Sequence, residues 1–307
     1  LLYGVGGTTD IASIGSTLTS STAPWIIDSH PVVLLAAVML MAGLGFKIAM
    51  VPFHMWAPDV YEGAPTPISG LLAAASKKMG FAAFFKIFLV AIIVTKTDWG
   101  EAVAVLAILT MTVGNLIAVS QTNIKRMLAY SSIAHAGYLL LGVVVLSNQG
   151  LLAILIYFSV YLLMNLGAFL VVMLIANKTG SEDIHDYNGL GHTSPFLGIS
   201  LTIFLISLTG LPPTAGFIGK LYLFIALVDA KMITVAVIAL LNSVVSLYYY
   251  VRVLKHMFLT KAEAETPTVI VSVPNKILVS FLVTLTLVFG IYFTPLVEAA
   301  KSCLTIL

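Results

Sequence analysis

Gly43-Leu-Gly45-Phe-Lys47-Ile-Ala-Met-Val-Pro52-Phe-His54-Met-Trp56-Ala-Pro58-Asp59 closes an apolar run that begins at Val32. Two glycines precede the lysine and two prolines follow it. Proline removes a backbone donor and clashes with the preceding turn, so a helix through this run breaks near Pro52. A second stretch has the same grammar: Gly210-Leu-Pro212-Pro213-Thr-Ala-Gly216-Phe-Ile-Gly219-Lys220. Paired Gly/Pro-interrupted apolar segments point to transport sites in membrane proteins built from inverted repeats. A broken helix frees carbonyls and admits water, which lets a lysine exist at that depth. The alternative is that the prolines merely kink helices that pack together.

The rest of the chain sets both stretches in lipid. It has 307 residues, of which 60% are hydrophobic and 9% charged, with a mean hydropathy of +1.06. A soluble domain carries about 25% charged residues. This is an integral membrane protein. Eight apolar runs approach the roughly 20 residues a helical span needs: 32–51, 68–95, 101–119, 125–146, 150–176, 195–226, 231–257 and 276–299. No two-residue alternation suggests a barrel, so the spans are helices. Residues 1–31 are rich in Ser, Thr and Gly and read as an exposed connection with one short helix. Leu1-Leu-Tyr-Gly-Val-Gly-Gly7 reads as the end of a preceding element, so further chain is expected upstream.

Cations in the connections set the orientation. Lys125, Arg126, Lys178, Arg252, Lys255, Lys261 and Lys276 fall on one side, and Lys96, Lys231 and Lys301 on the other. The first group is expected in the cytoplasm. The single cysteine, Cys303, rules out an internal disulfide and a cysteine-ligated cluster. No Gly-rich phosphate loop, metal-ligand spacing or basic patch with interleaved aromatics appears. Nucleotide, flavin or iron–sulfur chemistry therefore belongs to a partner, and no nucleic-acid partner is expected.

Lysines in apolar runs are the informative residues: Lys47, Lys77, Lys86 and Lys220. An ionised group at membrane depth costs a few kcal/mol or more and marks a functional site. Lysine, unlike arginine, can give up its proton when desolvated. Lys77 and Lys78 point about 100° apart on a helix, so at most one faces a given path easily. His135 lies among small and polar residues and can relay protons, although a lone buried histidine is often only hydrogen-bonded. His54 is expected near the interface. Tyr161, Asn165 and Asn242 could extend a polar chain or simply join helices. All 13 carboxylates fall in loops or at span ends. A lysine that switches charge needs a movable counter-charge, which must then come from elsewhere.

Three stretches resemble a known family. Val51-Pro-Phe-His-Met-Trp-Ala-Pro-Asp-Val-Tyr-Glu-Gly-Ala-Pro-Thr-Pro67, Ser120-Gln-Thr-Asn-Ile-Lys-Arg-Met-Leu-Ala-Tyr-Ser-Ser-Ile-Ala-His-Ala-Gly-Tyr138 and Gly210–Lys220 are similar to subunit N of respiratory complex I. The match covers most of residues 31–260 in order. The run Pro58-Asp-Val-Tyr-Glu-Gly-Ala-Pro65 distinguishes this type from its two antiporter-like paralogues. The resemblance implies an all-α membrane protein, a multi-span helical bundle of antiporter-like inverted repeats with two broken helices. By the same resemblance, this stretch of chain would lack roughly the family's first six helices. Residues 32–95 would end the first repeat, 101–257 would form the second, and 276–299 would be a C-terminal transmembrane helix.

By matching position, the resemblance makes Lys47 and Lys220 the lysines of the broken helices, with breaks at Pro52, Pro212 and Pro213. Lys77 becomes the connecting lysine and His135 part of the central polar path. It pairs Lys47 with a glutamate upstream of Leu1. The implied function is proton translocation in the membrane arm of a prokaryotic NADH:quinone oxidoreductase, in the inner (plasma) membrane. The subunit would hold no cofactor and make or break no bonds. NADH, FMN, iron–sulfur clusters and quinone would sit in partner subunits. A multisubunit cation/proton antiporter and a pump using a donor other than NADH are the alternatives.

Overall fold

A computed structural model describes residues 1–19, 30–87, 99–145, 147–261 and 268–304. Among these, regular structure is helical, apart from one isolated bridge between Asn123 and Asp183. The chain opens with two short helices, α1 (Leu2–Gly6) and α2 (Ile11–Thr19), where the sequence predicts one. Asp10 starts α2 by accepting the Ser13 N–H at 2.7 Å. The first span is α3 (His30–Ile48), followed across a break by α4 (Trp56–Gly63). The run 68–95 is not one regular helix. It comprises α5 (Thr66–Leu71), a π turn over Leu72–Ser76 and α6 (Lys77–Ile87); its residues 88–95 lie outside the described ones, as do 20–29 of the opening connection.

Next come α7 (Trp99–Val119), α8 (Ile124–Val144) and α9 (Asn148–Thr179). Asn123 and Ser147 cap α8 and α9 by accepting N–H groups of Arg126 and Gly150. After the short α10 (Leu190–Thr193) the run 195–226 divides into α11 (Pro195–Thr209) and α12 (Ala215–Asp229). Helix α13 (Ile233–Phe258) and helix α14 (Val273–Ile291) complete the spans. The run 276–299 does not stay one helix. Pro295 cannot donate into the ladder, so the chain turns after Ile291 and restarts as α15 (Thr294–Leu304). Among the described residues, six helices are long and apolar enough to cross a membrane.

Helix α8 is the axis of the bundle, and every residue from Met127 to Val144 is buried. Helix α9 packs against α8, α11, α12 and α14. Small residues let α7 and α8 approach closely: a Cβ on Gly114 would lie 2.7 Å from the Ala134 backbone nitrogen. At the polar end of α8, Lys125 pairs with Glu182 at 2.8 Å, and Arg126 with Asp59 at 2.9 Å and Glu62 at 2.5 Å. These pairs tie α4 and the α9–α10 connection to α8.

Both broken helices stop in the same way. At the end of α3, the Met50 N–H donates to Gly45 and the Ala49 N–H to Phe46. At the end of α11, the Leu211 N–H donates to Ile206 and the Gly210 N–H to Ser207. Each is a Schellman stop with a left-handed residue, Ala49 at φ 59° and Gly210 at φ 87°. Cis peptide bonds follow at Val51-Pro52 and Pro212-Pro213. Alanine is the wrong residue for its position, since a Cβ in left-handed backbone costs about 1 kcal/mol. Ala49→Gly is expected to raise the melting temperature of the assembled protein in detergent; an unchanged or lower value would contradict the strain.

Candidate functional site

The π turn ends at Ser76 and sets the direction of Lys77 at the start of α6. Such turns recur where a helix must re-aim a working side chain. Lys77 is 3% exposed. Its Nζ donates to Ser132 Oγ on α8 at 2.8 Å and lies 5.6 Å from the Tyr61 ring centroid. Its neighbour Lys78 turns away to the Phe158 carbonyl on α9, at 2.5 Å.

His135 lies one turn beyond Ser132 on α8. Its Nδ1 shares a hydrogen bond of 2.6 Å with the Tyr157 hydroxyl of α9. Its Nε2 faces the Tyr250 hydroxyl of α13 at 3.4 Å, and that hydroxyl also bonds Ser131 Oγ. Tyr161 stacks near the imidazole at 5.0 Å between ring centroids.

Lys220 closes the row. Its Nζ donates to the Thr209 carbonyl at 2.7 Å and to Ser243 Oγ at 3.0 Å. It also lies 4.4 Å from the Tyr138 ring centroid. Tyr138 in turn bonds Ser243 Oγ at 2.9 Å. The break explains how this lysine is tolerated. The end of α11 leaves carbonyls without helical donors, and that end carries partial negative charge. Lys77 and Lys220 therefore sit among hydroxyls, a carbonyl and aromatic faces, with no carboxylate among the described residues bonded to either Nζ. The order along α8 is Ser132, His135 and Tyr138, with Lys77 at one end and Lys220 at the other.

Lys47 is placed differently from the buried position its apolar run predicts. It is exposed, on the side of α3 that also exposes Gly43 and Met39, one and two turns earlier. Its stem packs over Gly80, where a Cβ would meet Lys47 Cγ at 2.9 Å. Nothing within the described residues covers that outer face of α3. Lys86 is likewise exposed. His54 is buried in the first break. Asn242 stands apart from the row and bonds Asn115 and Thr112, joining α13 to α7. The Tyr161 hydroxyl faces Ser132, and Asn165 Nδ2 is buried without a hydrogen-bond partner among the described residues.

The residues that sequence reasoning misses are Ser132, Tyr138, Tyr157, Ser243 and Tyr250. Tyr248-Tyr-Tyr250 inside an apolar run is the signal that could have found one of them, because tyrosine hydroxyls at that depth need partners.

The family described as NADH:quinone oxidoreductase/Mrp antiporter, TM, matches residues 1–246. The chain belongs to this family. It is 45% identical to NADH-quinone oxidoreductase subunit N 2 of Chloroherpeton thalassium, over 100% of this chain and 61% of that protein. F(420)H(2) dehydrogenase subunit N of Methanosarcina mazei is 42% identical, over 100% of this chain and 63% of that protein. The chain thus spans about three fifths of the length of these curated relatives. A chain of respiratory complex I from Thermus thermophilus superposes with a TM-score of 0.79 at 34% identity, covering 97% of this chain and 63% of that one. A chain of the Mrp complex from Dietzia superposes at 0.83 with 24% identity, over 98% and 62%, and shares the fold. This membrane-spanning, antiporter-like family is the one the three sequence stretches resemble.

Proposed function

We propose that this chain is a proton-translocating membrane-arm subunit of NADH:quinone oxidoreductase. The observation that carries the reading is the row from Lys77 through Ser132, His135 and Tyr138 to Lys220. Between two buried amines, neither with a carboxylate partner among the described residues, stand groups that both donate and accept protons. Quinone reduction in partner subunits, which would hold NADH, FMN and iron–sulfur clusters, shifts charge along this row. Lys77 and His135 relay the proton, and Lys220 delivers it to the far side. The chain sits in the inner membrane of a prokaryote beside its antiporter-like paralogues.

Lys47 is the switch in this reading. Its exposed ammonium on an apolar face of α3 awaits a carboxylate from outside the described residues. Lys47→Ala in the assembled complex should lower pumping per NADH by roughly tenfold while the complex still assembles. Lys47→Arg should be nearly as poor, since arginine holds its proton. Normal pumping with both variants would sink the switch.

A different electron donor is the second reading, favoured by the 42% identity to F(420)H(2) dehydrogenase subunit N. Donor specificity would then lie in partner subunits, and the row would work unchanged.

A further inference from the structure

The polar end of α8 holds a cavity of about 350 Å³. Its lining includes Pro65, Thr66, Lys125, Met173, Asn177 and Glu182. It lies at the membrane end where α8 begins and α9 stops, so it meets water. Lys125 is 3% exposed, and its Nζ donates to Glu182 Oε1 and to the Ala64 carbonyl, both at 2.8 Å. Glu182 is the partner open to the cavity, with 26% of its side chain exposed.

This pair is in line with the row. Lys125 and Ser132 are seven residues apart, two turns on one face of α8, or about 10 Å. Tyr161, Asn165, Phe169 and Ala176 share one face of α9 and run from His135 to the cavity wall. The Tyr61 and Tyr161 hydroxyls face Ser132 at the row, and Asn165 Nδ2, one turn nearer the cavity, is buried without a hydrogen-bond partner among the described residues. Tyr61 is the residue whose ring faces Lys77. Buried polar atoms are nearly always hydrogen-bonded, and unpaired ones mark sites for water.

We infer that the Lys125–Glu182 cavity is the mouth through which protons enter the row from the cytoplasmic side. This rests on the proton-translocating reading above. Glu182 takes a proton from water in the cavity and becomes a neutral acid. It passes that proton to waters along Asn165, Tyr161 and Tyr61, and so to neutral Lys77. Glu182 returns to carboxylate and re-pairs with the Lys125 ammonium. The buried lysine holds the carboxylate at the mouth and is not itself consumed.

The test uses the whole complex in inside-out vesicles, with Cys303→Ser as background. Ala176→Cys places a thiol in the cavity wall. A membrane-impermeant anionic methanethiosulfonate should label it from the cytoplasmic face and lower pumping per NADH, with quinone reduction continuing. Glu182→Gln keeps an acceptor for Lys125, so the complex should assemble, and its pumping should fall by roughly tenfold. Glu182→Asp should restore most of it. Labelling that leaves pumping unchanged, failure to label from that face, or wild-type pumping in Glu182→Gln would each overturn the mouth. If Glu182→Gln does not assemble, the thiol readout decides. Normal pumping in a Lys220 variant would instead overturn the translocation reading, so the two failures are distinguishable.

Discussion

Replacing Lys220 with methionine is expected to abolish proton pumping in the assembled complex, with a fall of tenfold or more, on the order of a general acid–base contribution. Methionine is unbranched and similar in length, so it refills the space over the Tyr138 ring without opening a cavity. What it removes is the titratable link between Ser243 and the end of α11. The Thr209 carbonyl loses its ammonium donor, which costs about 1–3 kcal/mol and leaves assembly within reach. Lys220→Arg should not rescue pumping. A Cβ on Gly210 would already lie 2.7 Å from Lys220 Cδ, so the larger guanidinium cannot follow the same course. Proton uptake per NADH oxidised, measured in inside-out vesicles beside the quinone reductase rate, is the readout. Wild-type uptake in Lys220→Met would remove Lys220 from the row.

The two breaks share one backbone device, although Lys47 and Lys220 occupy different registers of it. Superposing the Schellman stops puts Ala49 on Gly210 and Pro52 on Pro213. Lys47 then falls on Leu208, while Lys220 falls on Asp59. Lys47 lies in the last turn before its break. Lys220 lies in the second turn after its break but reaches back to the Thr209 carbonyl. Both amines therefore belong to the negative end of a half-helix, where a cation is favoured. The same backbone device serves both, and the side chain arrives from opposite directions.

Much of this was legible in the sequence. Apolar length marks the spans, and proline with glycine marks both breaks, since these act through local backbone chemistry. Lysines in the apolar runs stand out because charge is expensive at that depth, but that ground picks out the exposed Lys47 and Lys86 as well, and Lys77 is set apart from Lys78 and Lys86 only by the family resemblance. The π turn before Lys77 was not legible: Leu72-Ala-Ala-Ala-Ser76 carries no glycine or proline to signal it. Nor was the left-handed Ala49, where composition points to an ordinary helical residue. The exposure of Lys47 depends on what covers α3, which no local pattern contains. The hydroxyls of Tyr157 and Tyr250 meet at His135 only because α8, α9 and α13 converge, a property of tertiary packing.

Gly216→Ala is expected to prevent stable assembly of the subunit. A Cβ at this position would lie 1.8 Å from the Ser207 carbonyl oxygen and 2.7 Å from its carbon. Those are backbone atoms in the last turn of α11, held by the stop at Gly210, and they cannot rotate aside. The Gly216 N–H also donates to Ser207 Oγ at 3.1 Å, so the two half-helices are joined at the contact that would clash. Overpacking of this kind costs about 3 kcal/mol or more, against a total stability of roughly 5–15 kcal/mol. The displacement would reach Lys220 one turn later and pull its Nζ from Thr209. Gly43→Ala supplies the contrast, because nothing lies within 4 Å of its added Cβ. In the middle of α3 that change should stabilise by about 1 kcal/mol through helix propensity. The yield of assembled complex and its melting temperature in detergent measure both. A Gly216→Ala complex that assembles, melts and pumps like the wild type would mean that the second break tolerates a separation the packing of α11 against α12 forbids.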